Sequence, residues 1–332
     1  MRPTIRDVAE RAGVSIATVS RVIRDSEKVR PETRDRVSRA VSDLQYTPSQ
    51  LGRQLAERRH AANGIVFPDL YGPYYAEVVL GYEEVAAELG RSVLILSTHG
   101  RDAAPVMVED MAGRCDGLVI LGRTVPDQVV ERLAQRHTPL VLLARSPIEG
   151  VDSVKAENTR SAMRLTEHVI GSGARRITFV GDPDGSADVA ERWAGVEEAA
   201  RAAAQVELDL ARPDALGEEP GAAVARAASA AGVLPDAFVC ANDELALGLM
   251  GGLREAGVDV PGQVMVTGWD DVMAARYAGL TTVRQPMREL GATAALLLDE
   301  LITGSRTEPR HEVLPTELVI RSSSTRPRKE TR

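Results

Sequence analysis

Apolar positions along the 332-residue chain change their spacing near residue 60. Before that point they recur at helical intervals. Thr4-Ile5-Arg6-Asp7 predicts a helix start of the Thr-x-x-Asp kind, a weaker form of the reciprocal capping box. Gly13 then ends that helix, because glycine takes the left-handed conformation past a last turn without steric cost. Ser15 can cap a second helix over residues 16–24, and Pro31 suits the first turn of a third that runs to about residue 44. Val8, Ala12, Val19, Val22, Val37, Val41 and Leu44 give the three helices one shared apolar core. The first two are joined by a very short turn, the spacing of a helix-turn-helix.

Tyr46-Thr47-Pro48-Ser49 breaks the pattern. A short segment, 50–57, follows with Leu51 and Leu55 four residues apart. It is too short to hold a helix alone in water, since nucleation outweighs so few bonds. From residue 63 short apolar runs alternate with amphipathic stretches. Strands are predicted over 64–68, 92–97, 117–121, 139–143, 176–181, 237–241, 264–268 and 317–320. Helices are predicted over 74–89, 127–136, 159–170, 188–204, 219–230, 243–255 and 287–303. Such alternation implies parallel sheets covered on both faces. The strand count exceeds one common sheet, so two α/β lobes are expected, split near 145–160 and again near 270–285. Ligands of such folds lie at the carboxyl ends of the strands. The expected domains are a helical head over 1–46, a hinge over 47–60, a two-lobed core over 61–322 and a basic, disordered tail over 323–332.

Charge sharpens this division. The net charge of −8 conceals a head, residues 1–60, with 13 basic and 8 acidic residues, and a remainder with 27 basic and 40 acidic. A basic head on an acidic body suits a head that meets a polyanion, although a solvated helix pair would also carry such charge. The two cysteines, Cys115 and Cys240, lie far apart inside apolar runs and lack metal-ligand spacing, which predicts buried thiols and no metal. The N-terminus lacks the pattern of a signal peptide and no window approaches a membrane span, so a cytoplasmic protein without a membrane partner is expected. No Ser-His-Asp, His-Glu-x-x-His or Walker-type run appears, and Gly171-Ser172-Gly173 follows a helix and precedes a strand, the reverse of a phosphate cradle. No catalytic residue and no cofactor are expected.

The run from Thr4 to Val22 resembles the head of the lactose-repressor (LacI) family of regulators almost position for position. Arg30-Pro31-Glu32-Thr33-Arg34 and Tyr46-Thr47-Pro48 resemble its third helix and the approach to its hinge. Pro73-Tyr74-Tyr75-Ala76-Glu77, Asp116-Gly117, Glu191-Arg192-Trp193-Ala194-Gly195, Ala241-Asn242-Asp243, Gly268-Trp269-Asp270-Asp271 and 280–286 (Leu-Thr-Thr-Val-Arg-Gln-Pro) are similar to its core landmarks, in order. The resemblance spans essentially the whole chain. It implies a helix-turn-helix head and hinge helix on a periplasmic-binding-protein-like core. It further implies a homodimer that binds a pseudo-palindromic operator in double-stranded DNA and answers to a small effector.

On the DNA side, the resemblance places Ile16, Ala17 and Arg21 against base edges. An arginine can give two donors to guanine, worth about 1–3 kcal/mol of discrimination. Ile16 can instead belong to the head core. Thr4, Ser15, Thr18, Ser20 and Arg30 are expected on phosphates, which position the head without reading sequence. Leu55 matches the family's hinge leucine, which wedges into a central base step; Leu51 and Leu55 can also pack the two hinges together. Gly52 stands where the family usually has alanine. Glycine costs a helix roughly 0.8–1 kcal/mol relative to alanine, so Gly52→Ala is expected to tighten operator binding.

On the effector side, the resemblance points to Arg192, whose fork suits vicinal hydroxyls or a carboxylate, with Asp270, Asn242 and Gln285. Asn242 and Asp243, and likewise Asp270 and Asp271, can instead cap the helices that follow them. Tyr74 and Tyr75 can stack on a ligand ring or belong to the core. Ala144 replaces an aspartate common in sugar-binding members, and Leu216 replaces an aromatic platform. Arg145 can then select a charged effector. A sugar or sugar derivative is the expected effector. A nucleoside or purine effector, or an architectural DNA binder with a core that senses nothing, are the alternatives.

Overall fold

The structure is a computed structural model that describes residues 3–23, 29–46 and 61–325. The chain divides into two compact units, Met1–Ala61 and Ala62–Arg332. The segment 47–60, with the hinge residues Leu51, Gly52 and Leu55, and residues 326–332 lie outside the described residues.

The head consists of α1 (Ile5–Ala12), α2 (Ile16–Ile23) and α3 (Pro31–Asp43). Its capping follows the sequence closely. The Thr4 backbone N–H donates to the Asp7 carboxylate at 2.7 Å, and the Thr4 hydroxyl donates to the same oxygen at 2.9 Å. These bonds hold the exposed Asp7 carboxyl below its usual range, the backbone bond contributing most. Gly13 takes φ +63°, and Ser15 Oγ accepts from the Thr18 N–H at 3.2 Å. Val8, Val19 and Val37 are fully buried where the three helices meet.

The larger unit has two lobes. The first is a six-stranded parallel sheet in the order β11-β5-β4-β3-β1-β2: β1 (Ala62–Phe67), β2 (Ser92–Ser97), β3 (Gly117–Leu121), β4 (Leu140–Leu143), β5 (Asp152–Ala156) and β11 (His311–Leu314). In β3 alternate side chains enter opposite cores. Val119 and Leu121 join the apolar cluster under α4 (Pro73–Glu88) and α12 (Met287–Thr303), while Leu118 and Ile120 join that under α5 (Ala104–Ala112) and α6 (Asp127–Gln135). Burial on both faces explains why these strands read as unbroken apolar runs.

The second lobe is a four-stranded parallel sheet in the order β7-β6-β8-β9: β6 (Arg176–Val180), β7 (Glu207–Ala211), β8 (Ala237–Cys240) and β9 (Met265–Thr267). It is covered by α7 (Thr159–Gly171), α8 (Ala187–Ala202), α9 (Glu218–Ala231), α10 (Asp243–Glu255) and α11 (Met273–Ala278). A two-stranded antiparallel sheet of β10 (Thr282–Arg284) and β12 (Glu317–Val319) adjoins it. The chain passes between lobes after β5, after β10 and again between β11 and β12. The sequence reading expects only the first two crossings.

The expected tail begins too early. Ser323 and Ser324 lie buried in a 3₁₀ turn, Ser322–Ser324. Ser323 Oγ donates to the Val266 carbonyl at 2.6 Å and accepts from the Thr281 N–H at 2.8 Å. Ser324 Oγ bonds His168 Nε2 at 2.8 Å and Thr281 Oγ1 at 2.6 Å. Small hydroxyl residues read as a solvated tail because nothing local shows that buried acceptors await them.

Both cysteines are buried, as expected. Burial pushes the Cys115 thiol up to about 11 and the Cys240 thiol higher still. Among the described residues no helix is long and apolar enough to cross a membrane, and no three His, Cys, Asp or Glu side chains gather as a metal site.

Candidate functional site

The carboxyl ends of both parallel sheets lead into the space between the lobes. Arg192, in the second turn of α8, is the organising charge there and is 5% exposed. Its Nε donates to Asn158 Oδ1 at 2.9 Å and its Nη1 to the Ala241 carbonyl at 2.7 Å. Its guanidinium lies 4.6 Å from the centre of the Trp269 ring, a cation–π arrangement. The Asp188 carboxylate is 3.8 Å away, one turn earlier on the same helix. Burial raises the Asp188 pKa, and Arg192 opposes that shift.

Asp270 follows β9 through Gly268 and Trp269. Its backbone N–H donates to the Val283 carbonyl at 2.8 Å, and its Oδ1 accepts from Gln285 Nε2 at 2.5 Å. It holds φ +113°, a conformation costly for a residue with a side chain and concentrated at ligand sites. Asp270 is 4% exposed; burial pushes its pKa well up, and Arg192 pulls it back. Neither Asp270 nor Asp271 caps α11, whose first turn has no side-chain cap. Asp271 instead accepts from Arg284 at 2.8 Å and Arg321 at 2.6 Å.

Tyr74 reaches this cluster from the first lobe. Its hydroxyl is buried without a partner, and its pKa is raised by burial first, then by Asp188 and Asp270, with Arg192 opposing. Tyr75 packs edge-on between Tyr74 and Phe67, with ring centres 5.4 and 5.6 Å apart, and burial first, then Asp69, Asp270 and Glu244, push its hydroxyl pKa up. Both tyrosines are half-buried and bridge core and cleft.

Two expected site residues have other engagements. Asn242 is the N-cap of α10: its Oδ1 accepts from the Leu245 N–H at 3.1 Å, and its Nδ2 donates to the Leu216 carbonyl at 3.2 Å and to Glu244 at 2.8 Å. Arg145 turns into its own lobe, where Nη1 donates to the Gly122 carbonyl at 3.1 Å and Nη2 pairs with Asp127. Its fork is spent, and only its Nε stays without a partner. These bonds join Arg145 to its own lobe and to none of Arg192, Asp270, Gln285 or Tyr74.

The sequence reading misses Asn158, Trp269 and Glu244 as site residues. Asn158 and Trp269 hold the arginine from its edge and its face. Glu244, in the first turn of α10, comes up against the first lobe, where a Cβ on Gly72 would lie 2.7 Å from its Oε1. An acidic residue in a helix's first turn reads as a partner for the helix dipole, which hid this placement. Arg123 of the first lobe donates to the Asp184 carbonyl of the second at 2.9 Å, so the lobes also meet there.

In the head, α2 presents Ile16, Ala17 and Arg21 to solvent, with Ile16 44% exposed. The core alternative for Ile16 is therefore excluded, because Val19 fills the inner face. Ser15 and Thr4 are exposed beside the caps they form, Thr18 bonds Ser15 through its hydroxyl at 2.9 Å, Ser20 is half-buried, and Arg30 is exposed.

Residues 4–49 match the family described as bacterial regulatory proteins, lacI family, and residues 166–324 match a periplasmic binding protein-like domain. The HTH-type transcriptional regulator CelR of Thermobifida fusca is 33% identical over 334 residues, covering 97% of this chain and 98% of its own. The catabolite control protein A of Staphylococcus xylosus is 29% identical, covering 98% and 100%. Among solved structures, the lac repressor dimer bound to operator and the anti-inducer ONPF superposes with a TM-score of 0.87 at 28% identity, covering 98% of this chain and 100% of that one. A CelR–cellobiose complex gives 0.73 at 31%, covering 97% and 100%. Helical head, two-lobed parallel core and end-to-end similarity agree: the chain belongs to the lacI family of bacterial transcriptional regulators.

Proposed function

We propose that the chain binds a two-fold-symmetric operator as a homodimer and that a saccharide in the cleft between its lobes controls this binding. Arg192 carries the reading. It is a buried guanidinium stacked on Trp269, with Asp270, Gln285 and the unpartnered Tyr74 hydroxyl around it. An aromatic face beside mixed donors and acceptors suits a polyhydroxylated ring. The cellobiose complex of CelR supports a sugar, and the operator-bound dimer of the lac repressor supports two-fold binding. Ile16, Ala17 and Arg21 read bases, Thr4, Ser15, Thr18, Ser20 and Arg30 hold phosphates, and the segment with Leu51 and Leu55 enters the minor groove. The activity is regulation and not turnover, as the relatives' names indicate.

In vitro selection of duplex sites followed by footprinting tests the DNA half. An inverted repeat protected symmetrically is expected, and Arg21→Ala should lose about 1–3 kcal/mol of discrimination at one base pair per half-site. Selection of asymmetric or unrelated sequences would favour an architectural binder.

A further inference from the structure

Two carboxylates adjacent in sequence leave one turn in different directions. Asp270 meets Gln285 in the cleft. The Asp271 side chain, only 2% exposed, instead gives Oδ2 to Arg284 at 2.8 Å and Oδ1 to Arg321 at 2.6 Å. The backbone makes the reversal: Asp270 holds φ +113° and Asp271 φ +59°. Neither is a low-energy conformation for a residue with a side chain, and such strain persists only where the surroundings over-determine it.

What over-determines it arrives from distant parts of the chain. The Asp270 N–H donates to the Val283 carbonyl at 2.8 Å, and the Val272 N–H to Asp243 Oδ2 at 2.9 Å. Both arginines on Asp271 belong to the ribbon that carries the chain between lobes. Arg284 ends β10, and its Nη1 also donates to Glu317 of β12, its partner across the antiparallel pair, at 2.7 Å. Arg321 follows closely on β12. Its N–H donates to Thr281 Oγ1 and its Nη1 to the Leu280 carbonyl, both at 2.8 Å, so its second nitrogen can only face Asp271. Removing one partner of an enclosed ion pair leaves the other uncompensated. Without Arg321 the turn gains by rotating Asp271 toward water, and that rotation unwinds the dihedrals that aim Asp270.

We propose that Asp271, Arg284 and Arg321 form a clamp that aims Asp270 into the cleft and couples its aim to the β10–β12 ribbon. The three are positioning residues. A lobe movement that shifts the ribbon pulls on Asp271 and, through one peptide unit, on Asp270. Calling Asp270 an effector contact rests on the sugar-sensing reading of the cleft; the clamp does not, and its test contains no ligand, so the two can fail separately.

Trp269 precedes Asp270, is 1% exposed and lies against Arg192; the only other tryptophan is Trp193. In the full chain carrying Trp193→Phe, Trp269 emission reports this turn. Well below the melting transition, Arg321→Met should red-shift that emission and raise acrylamide quenching at least about twofold, with Arg321→Lys in between because it keeps a charge for Asp271. Folded Arg321→Met with the parent's emission and quenching overturns the clamp, whatever its melting temperature, and so does a lysine variant no better than the methionine one. Arg284→Met removes a guanidinium that is 45% exposed and keeps the test decisive if Arg321→Met does not fold: quenching should rise, and parent-like quenching overturns the clamp. A Cβ on Gly252 would lie 2.8 Å from that of Ala225, so Gly252→Ala strains the same lobe at a contact the clamp does not share. It should melt lower and keep the parent's quenching; a rise equal to that of Arg321→Met would show general loosening and overturn the proposal.

Discussion

Asp243 is fully buried at the start of α10, where its oxygens accept from the Thr282 hydroxyl at 2.7 Å and the Val272 N–H at 2.9 Å. Burial nevertheless wins, and its pKa rises to about 7. A carboxyl whose folded pKa lies above its unfolded value binds more protons when folded, so its contribution to stability is full at low pH and declines as pH rises. Between about pH 4 and 7 this group should lower stability by up to about 1.4 kcal/mol per pH unit. Thermal melts across that window should show a shallower decline in Asp243→Asn than in the wild type; parallel curves would mean that Asp243 stays ionised throughout. The sequence made Arg192 and Asp270 visible because family motifs surround them. Asn158 and Glu244 stayed hidden, since a residue's partner 34 positions away, or on the other lobe, leaves no local periodicity.

At the scale of elements, helix pairs in both lobes meet through glycine. A Cβ on Gly81 of α4 would lie 2.0 Å from the Arg288 carbonyl oxygen of α12, and one on Gly248 of α10 would lie 1.8 Å from that of Glu218 in α9. Gly248→Ala must push the helices apart, a strain of about 1–3 kcal/mol that should lower the melting temperature by about 3–10 °C. Gly251, one turn on in α10, has open space where its Cβ would go. Gly251→Ala should therefore stabilise the helix by about 0.4–1 kcal/mol; equal losses at both sites would show that crowding is not the cause. The strongly apolar elements were legible: β1, β2, β3, β4, β6, β8 and β9 all fall within two residues of the expected spans. Strands β5, β7, β10 and β11 were missed because their sequences are short or charged. In β5 the buried Asp152 is tolerated only because Arg306 pairs with it and the Arg310 N–H donates to it at 3.0 Å, and both partners come from more than 150 residues away. Edge strands β7 and β11 face solvent on one side and so carry polar residues.

For the whole molecule, the proposed function assigns DNA binding to the basic head and ligand sensing to the acidic core. The fold class followed from alternation and from the order of family landmarks. The third crossing between lobes did not, because β12 must pair with β10, a non-local choice that no short window contains. The most direct measurement of the central claim is operator affinity by fluorescence anisotropy, with and without the binding saccharide, in the wild type and in Arg192→Ala. Loss of a charge-assisted contact worth about 1.5–3 kcal/mol should weaken the ligand roughly ten- to hundredfold. The account predicts that the variant binds operator like the wild type but ignores saccharide at concentrations that shift the wild type at least tenfold. An unchanged saccharide response in Arg192→Ala would contradict it and move effector sensing out of the cleft.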